Sequence, residues 1–230
     1  KEIEFIVTDF DAWKYQLELN VTGYTQAVTV EQFPLLVELN TSMDGFHYDQ
    51  FSDTDGKDLR FLSSDKSREL AYEVIEWNPE GSSYFWVLLP ELKQGSSLLA
   101  IWGNPAAKER PSYSSDGSVW QNYRAVWKMD ELFGKVVRDS ATGYHGEVYS
   151  SANSLVNGVI GDAFSTISSG NYIELPKSAY FTEGTEQVSL SFWAFVSGGE
   201  LKDQTLLHAS SAVGTHMKIQ LPAEDGALHW

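Results

Sequence analysis

The sequence predicts an all-β chain built as two jelly-roll-like β-sandwiches in series, the second of them incomplete. Three observations carry that expectation. Apolar and polar residues alternate with period two along most of the chain. Gly, Asn, Asp, Ser and Pro break the alternation at short intervals, and no long stretch shows the apolar stripe of an amphipathic helix.

Taken in order, the first strand is "KYQLELNV" (14 to 21), where Tyr15, Leu17, Leu19 and Val21 alternate with Lys14, Gln16, Glu18 and Asn20. "FPLLVEL" (33 to 39), "LRFL" (59 to 62), "LAYEVIEW" (70 to 77), "YFWVLL" (84 to 89) and "SLLAIW" (97 to 102) follow, rich in the β-branched and aromatic residues that suit a pleated surface. These strands make a first domain, residues 1 to 107. The stretch "GNPAAKERPSYSSDGS" (103 to 118) loses periodicity and gathers Gly, Pro and Ser, which places a linker at 108 to 123. Strand signals resume in a second domain, 124 to 230, at "AVWKM" (125 to 129), "YIEL" (172 to 175), "VSLSFWAFV" (188 to 196), "TLLHA" (205 to 209) and "MKIQL" (217 to 221). The pattern stops at Trp230 before a second sandwich can close, so the natural protein is expected to continue past it.

Composition narrows the partners. The 230 residues carry 32 acidic and 16 basic side chains, a net charge of -16, so a nucleic-acid partner is not expected. The absence of cysteine removes disulfides and thiolate metal sites and leaves the compartment open. No apolar run approaches the roughly 20 residues that cross a bilayer, so direct membrane insertion is not expected. The acidic start "KEIEFIVTDF" is unlike a signal peptide, and any targeting segment is expected to have been removed.

The cluster Asp53, Asp55 and Asp58 around Gly56 poses the question of a calcium loop. An EF-hand register would put Phe51 at the first ligand and Leu62 where a bidentate glutamate must stand, so that register fails. The residues predict an Asp-Gly turn instead, with a positive φ at Gly56 and aspartates accepting from backbone amides.

Two resemblances follow from longer segments. "WKYQLEL", "FPLLVEL", "DGKDLRFLSSD", "LAYEVIEWN" and "FWVLLPELKQGSSLLAIWGNPAA" occur in that order over about residues 11 to 107. Together they resemble the bacterial family called domain of unknown function 2341. That resemblance implies a secreted or envelope setting, beside laminin G-like modules or in ectodomains attached to ExbB/TolQ/MotA-like proton channel proteins. From about residue 124 on, "AVWKMDE", "VRDSATGYHGEV", "NGVIGDAF", "GNYIELP" and "VSLSFWAFV" resemble a laminin G-like, concanavalin A-like jelly roll. This second resemblance implies glycan or protein binding, in some members through a calcium ion, and glycoside hydrolases among the relatives; a structural calcium here would be held at Asp139 with Asp130 and Asp162 as partners, and the alternative is an Asx-type turn in which Asp139 accepts from backbone amides. One departure weighs against the ion: Thr166, Ile167 and Ser168 stand where relatives often read Phe-Asp-Gly.

Catalytic motifs are absent. There is no G-x-S-x-G and no H-E-x-x-H, and His47, His145, His208, His216 and His229 are scattered singly. Asp130 and Glu131, as neighbours on a strand, would point to opposite faces. An enzyme is therefore not expected. Indole faces are the better binding hardware, because they stack on sugar rings at little entropic cost. Trp13, Trp86, Trp127 and Trp193 fall inside alternating strands and are expected in the core, while Trp77, Trp102 and Trp120 fall at strand ends or in the linker and are the candidate ligand-binding residues, with packing between the two domains as the alternative for them. The expected function is a non-catalytic, extracytoplasmic recognition module of a bacterial periplasm, cell surface or secretome, binding glycan or another envelope protein. The alternatives are a structural or sensory ectodomain of a proton-channel complex and a glycoside hydrolase relative.

Overall fold

The computed structural model describes residues 10–130, 134–149, 155–165, 170–179, 187–195, 204–210 and 216–221. The described residues are almost all strand, turn and loop, with five short 3₁₀ turns as the only helical elements among them. The all-β expectation holds. The chain divides into two compact units, residues 1–185 and 186–230.

In the first unit, β1 (Tyr15–Asn20), β2 (Val30–Asn40), β3 (Arg60–Ser63), β4 (Glu69–Leu70), β5 (Tyr72–Glu76), β6 (Ser82–Leu92) and β7 (Ser97–Trp102) form two antiparallel sheets. Their orders are β1-β7-β3-β4 and β2-β6-β5. The sheets face each other because one side of every long strand is apolar. Leu98, Ala100 and Trp102 of β7, Phe61 of β3, Phe85, Val87 and Leu89 of β6 and Val37 and Leu39 of β2 all enter one core. Each such large side chain contributes roughly 1.5–3 kcal/mol relative to its exposure. Aromatic edges lock the layers, with Phe61 5.3 Å from Tyr72 and 5.5 Å from Phe85, centroid to centroid.

Both outer faces of the sandwich are partly covered. The 3₁₀ turn Phe10–Ala12 brings Phe10 and Trp13 onto Leu62, Leu99 and Ile101. Residues 108 to 123, expected as a linker, contain the 3₁₀ turns Ser112–Ser114 and Ser118–Trp120, and Val119 and Trp120 are buried against Leu88 and Trp86. Trp120 Nε1 donates to Glu73 Oε2 at 2.7 Å, and Lys128 Nζ pairs with Glu73 Oε1 at 3.1 Å. The periodicity fails over 108 to 123 because the segment straps onto a sheet rather than pairing in one.

The rest of this unit holds a three-stranded antiparallel sheet, β12-β9-β8, from β8 (Val136–Val137), β9 (Gly146–Tyr149) and β12 (Tyr172–Glu174). It also holds a hairpin of β10 (Leu155–Asn157) and β11 (Asp162–Phe164). The strand expected over 125 to 129 is reduced to one bridge, Trp127 to Asp139, because Met129 turns to φ 63. In the second unit, β13 (Gln204–Ser210) and β14 (His216–Leu221) fall on the segments expected as strands, and they pair with each other. Residues 188–195, expected as a strand, carry no regular structure, and Trp193, expected in the core, is 85% exposed. Alternation there has no sheet to enter among the described residues.

Candidate functional site

The acidic turn is built as its residues predict. Gly56 takes φ +65, its N–H donates to Asp53 O at 3.0 Å, and Asp53 Oδ1 accepts from Asp55 N at 2.9 Å. That amide bond is also the main reason the Asp53 carboxyl lies below its ordinary value. Asp58 is fully buried, and its Oδ2 accepts from Ser52 N, Gly103 N and Asn104 N at 3.1, 2.8 and 3.1 Å. One carboxylate thus ties the turn to the end of β7. Beside it, Arg60 pairs with Glu69 at 3.2 Å and lies 5.9 Å above the Trp13 ring, while Tyr113 donates to Glu69. Burial pushes the Tyr72 hydroxyl up to about 12 and raises Tyr113 as well, the latter with help from Glu69. This network holds residues 109–113 against the sandwich.

The three candidate tryptophans belong to the same framework. Trp102 is 0% exposed, stacks on Phe51 and Tyr15, and donates from Nε1 to Gln50 at 3.1 Å. Trp120 is 5% exposed in the strap. Trp77 is half-buried, donates from Nε1 to Thr54 O at 2.8 Å, and lies so close over Gly56 that a Cβ there would overlap its ring. Trp102 and Trp120 therefore offer no open indole face, while Trp77 keeps part of its surface in solvent. Strand-end positions looked like loops in the sequence, yet Trp102 continues the inward register of Leu98 and Ala100 and packs accordingly.

The Asp139 loop is also an amide cradle. Asp139 is 7% exposed. Its Oδ1 accepts from Val126 N at 2.7 Å and Ala141 N at 2.9 Å; its Oδ2 accepts from Thr142 N at 3.1 Å, Thr142 Oγ1 at 3.1 Å and Tyr144 N at 2.9 Å. Burial alone would raise this carboxyl, and the amide bonds outweigh it, so the group sits below its ordinary range. Donors pointing at both oxygens do not fit a calcium ion, which needs those lone pairs. Asp162 is exposed on β11 and Asp130 is half-buried; among the described residues no three His, Cys, Asp or Glu side chains gather to hold a metal ion. Glu131 and residues 166 to 168, which entered the sequence argument, lie outside the described residues, as does His229.

Two features that the sequence reading did not single out remain open to solvent. The first is on the sheet β12-β9-β8. Its inner side carries buried Val137 and Val148, and its outer side carries Glu147, Tyr149, Tyr172 and Glu174. The register sets Tyr172 opposite Tyr149 and Glu174 opposite Glu147. The two phenol rings stack with centroids 4.8 Å apart and planes 5° from parallel. Among the described residues β12 is the sheet edge, and Tyr172 is 50% exposed. Tyr149 OH donates to Glu147 Oε2 at 3.2 Å, and this bond, then the charge of Glu147, raises the Tyr149 hydroxyl above its ordinary value. The mirrored triplets Glu-Val-Tyr and Tyr-Ile-Glu were the available signal, but only the register shows that they meet. The second feature is an open groove of about 460 Å³ between β1 and β2, floored by Leu17, Leu19, Leu35 and Leu98 and flanked by Glu18 and Glu38.

A family described as a domain of unknown function (DUF2341) matches residues 55–123, a span that takes in β3 to β7, the acidic turn from Asp55, the Arg60–Glu69–Tyr113 network and the strap. No curated protein and no solved structure matches the chain.

Proposed function

We propose that the chain is a non-catalytic recognition module of an extracytoplasmic bacterial protein and that it binds glycan on the outer side of the sheet β12-β9-β8. The observation that supports this reading is the Tyr149–Tyr172 stack at an open sheet edge with Glu147 and Glu174 alongside. A half-exposed phenol face offers a surface for the C–H side of a sugar ring. Carboxylates one strand position further on accept hydrogen bonds from its hydroxyls. Two acids placed opposite each other repel, so water or a hydroxyl-rich ligand between them relieves a cost built into the pair. Hydrolysis would instead call for one carboxyl kept protonated by its surroundings, and both glutamates are exposed. Partner proteins of an envelope complex are the competing ligand class for the same face.

A glycan array probed with the isolated chain and with Tyr172→Ala, each with and without a calcium chelator, tests the reading. The expected result is a restricted set of glycans bound by the parent chain, lost in the variant and unaffected by chelation. An array bound equally by parent and variant would remove this face from consideration.

A further inference from the structure

Among the described residues the sandwich has four edge strands, and three of them carry a device that discourages pairing. β4 is two residues long. β2 contains Pro34, which offers no N–H, and Gln32 at φ 52. β5 is interrupted by a register shift between Val74 and Glu76. Short edges, prolines and bulges are the usual means by which sheets refuse an added strand. β1 has none of them: it pairs with β7 in unbroken register from Tyr15↔Trp102 to Asn20↔Ser97, and among the described residues no strand pairs along its other side.

That open edge borders the groove. Leu17 and Leu19 point inward onto the core face, so a strand laid beside β1 would send alternate side chains between the sheets, over Leu35. Its remaining side chains would lie on the outer face next to Glu18, and Glu38 stands on the opposite lip. No lysine, arginine or histidine is among the residues lining the groove, and the chain as a whole carries -16.

We infer that β1 accepts an extended segment of a partner protein as an added strand, apolar at alternate positions and carrying lysine or arginine between them. Main-chain hydrogen bonds along the free edge supply affinity, apolar side chains fill the groove, and a basic residue opposite Glu18 sets the register. The inference stands on a different surface from the glycan reading and on none of its residues.

The probes are two capped nine-residue peptides, one alternating valine with lysine and the other valine with glutamate, together with the lysine peptide N-methylated at alternate amides. Fluorescence anisotropy reads binding to the whole chain, and amide hydrogen exchange reads its location. The expected result is binding of the lysine probe with slowed exchange across residues 15–20, and binding at least about tenfold weaker for the glutamate probe. The N-methylated probe keeps the side chains and loses the donors, so it is expected to bind at least about tenfold more weakly too. Glu18→Lys, an exposed change, is expected to weaken the lysine probe about fivefold, the size of one cross-strand charge pair. Equal binding of all probes, slowed exchange along β2 instead of β1, or no binding of either charged probe would overturn the inference. So would a parent chain that dimerises through β1 without any probe, or binding that appears only after residues 1–9 are removed.

Discussion

The sandwich of residues 15–102 and the small sheet of residues 136–174 treat their aromatic side chains in opposite ways. In the sandwich, Phe46, Phe51, Tyr48, Trp77 and Trp102 pack edge to face and in stacks with centroids between 5.0 and 6.4 Å, all turned toward protein. On the small sheet the aromatic pair Tyr149 and Tyr172 stands on the outer side while valines fill the inner one. Equal residue chemistry therefore does two jobs, and the face on which the strand register places a ring decides which. Where both sides of the ring are covered it stabilises the fold; where one side stays in water at a sheet edge it is available to a ligand.

The largest effect that distinguishes the two regions is the loss of a framework ring. Trp102→Ala is expected to cost about 3–5 kcal/mol, read as a lowered urea midpoint. A cost below about 1 kcal/mol would mean that Trp102 is not the inner-layer residue its zero exposure indicates. Asp139→Ala comes next, at about 2–3 kcal/mol, since it leaves the amides of Val126, Ala141, Thr142 and Tyr144 without their acceptor. The same carboxyl has a sign in pH. Because its folded value is depressed, its contribution is present above the ordinary 3.8 and is lost as pH falls through the lower folded value. Acid unfolding followed in parent and Asp139→Asn chains should show the parent more stable at neutral pH and the difference shrinking as pH falls through that window.

How much of this was legible in the sequence depends on whether a residue's partner is near in sequence or only in the fold. Strands β1, β2, β6 and β7 are each long enough for alternation to declare itself, and β7 coincides with the segment read as "SLLAIW". The Asp-Gly turn was legible because its hydrogen bonds close within a few residues. Asp139 was visible as an acidic loop, but its part in gathering Val126 from thirteen residues upstream was not. At Trp102 and Trp120 a Gly, Asn or Pro neighbour suggests a loop, whereas burial is settled by the opposite sheet and by the strap. β12 falls within the segment read as "YIEL", but two-residue β8 and four-residue β9 are too short to carry a period, so the pairing that sets Tyr149 against Tyr172 did not declare itself.

An effect of similar size, confined to alkaline pH, sharpens the framework side. Tyr72 is fully buried and its hydroxyl donates to Leu59 O at 2.9 Å. With its folded value raised from 10.0 to about 12, its contribution is intact below pH 10 and falls away as pH rises toward 12. Base titration monitored by near-ultraviolet circular dichroism should show a loss of about 2–3 kcal/mol there, absent in Tyr72→Phe. The smallest effect belongs to the binding side: Tyr172→Ala is expected to change stability by no more than about 0.5 kcal/mol, because half of the ring is already in water. A loss comparable to that of Trp102→Ala would make Tyr172 a framework residue and erase the contrast.

The central claim is that the outer side of β12-β9-β8 is where ligand meets the chain, and amide chemical-shift mapping tests it most directly. Isotope-labelled chain titrated with a mixture of gluco- and galacto-configured oligosaccharides is expected to shift residues 147–149 and 172–174 and to leave residues 53–58, Trp77 and Trp102 in place. Shifts centred on the acidic turn and Trp77, with the tyrosine strands unmoved, would contradict the account.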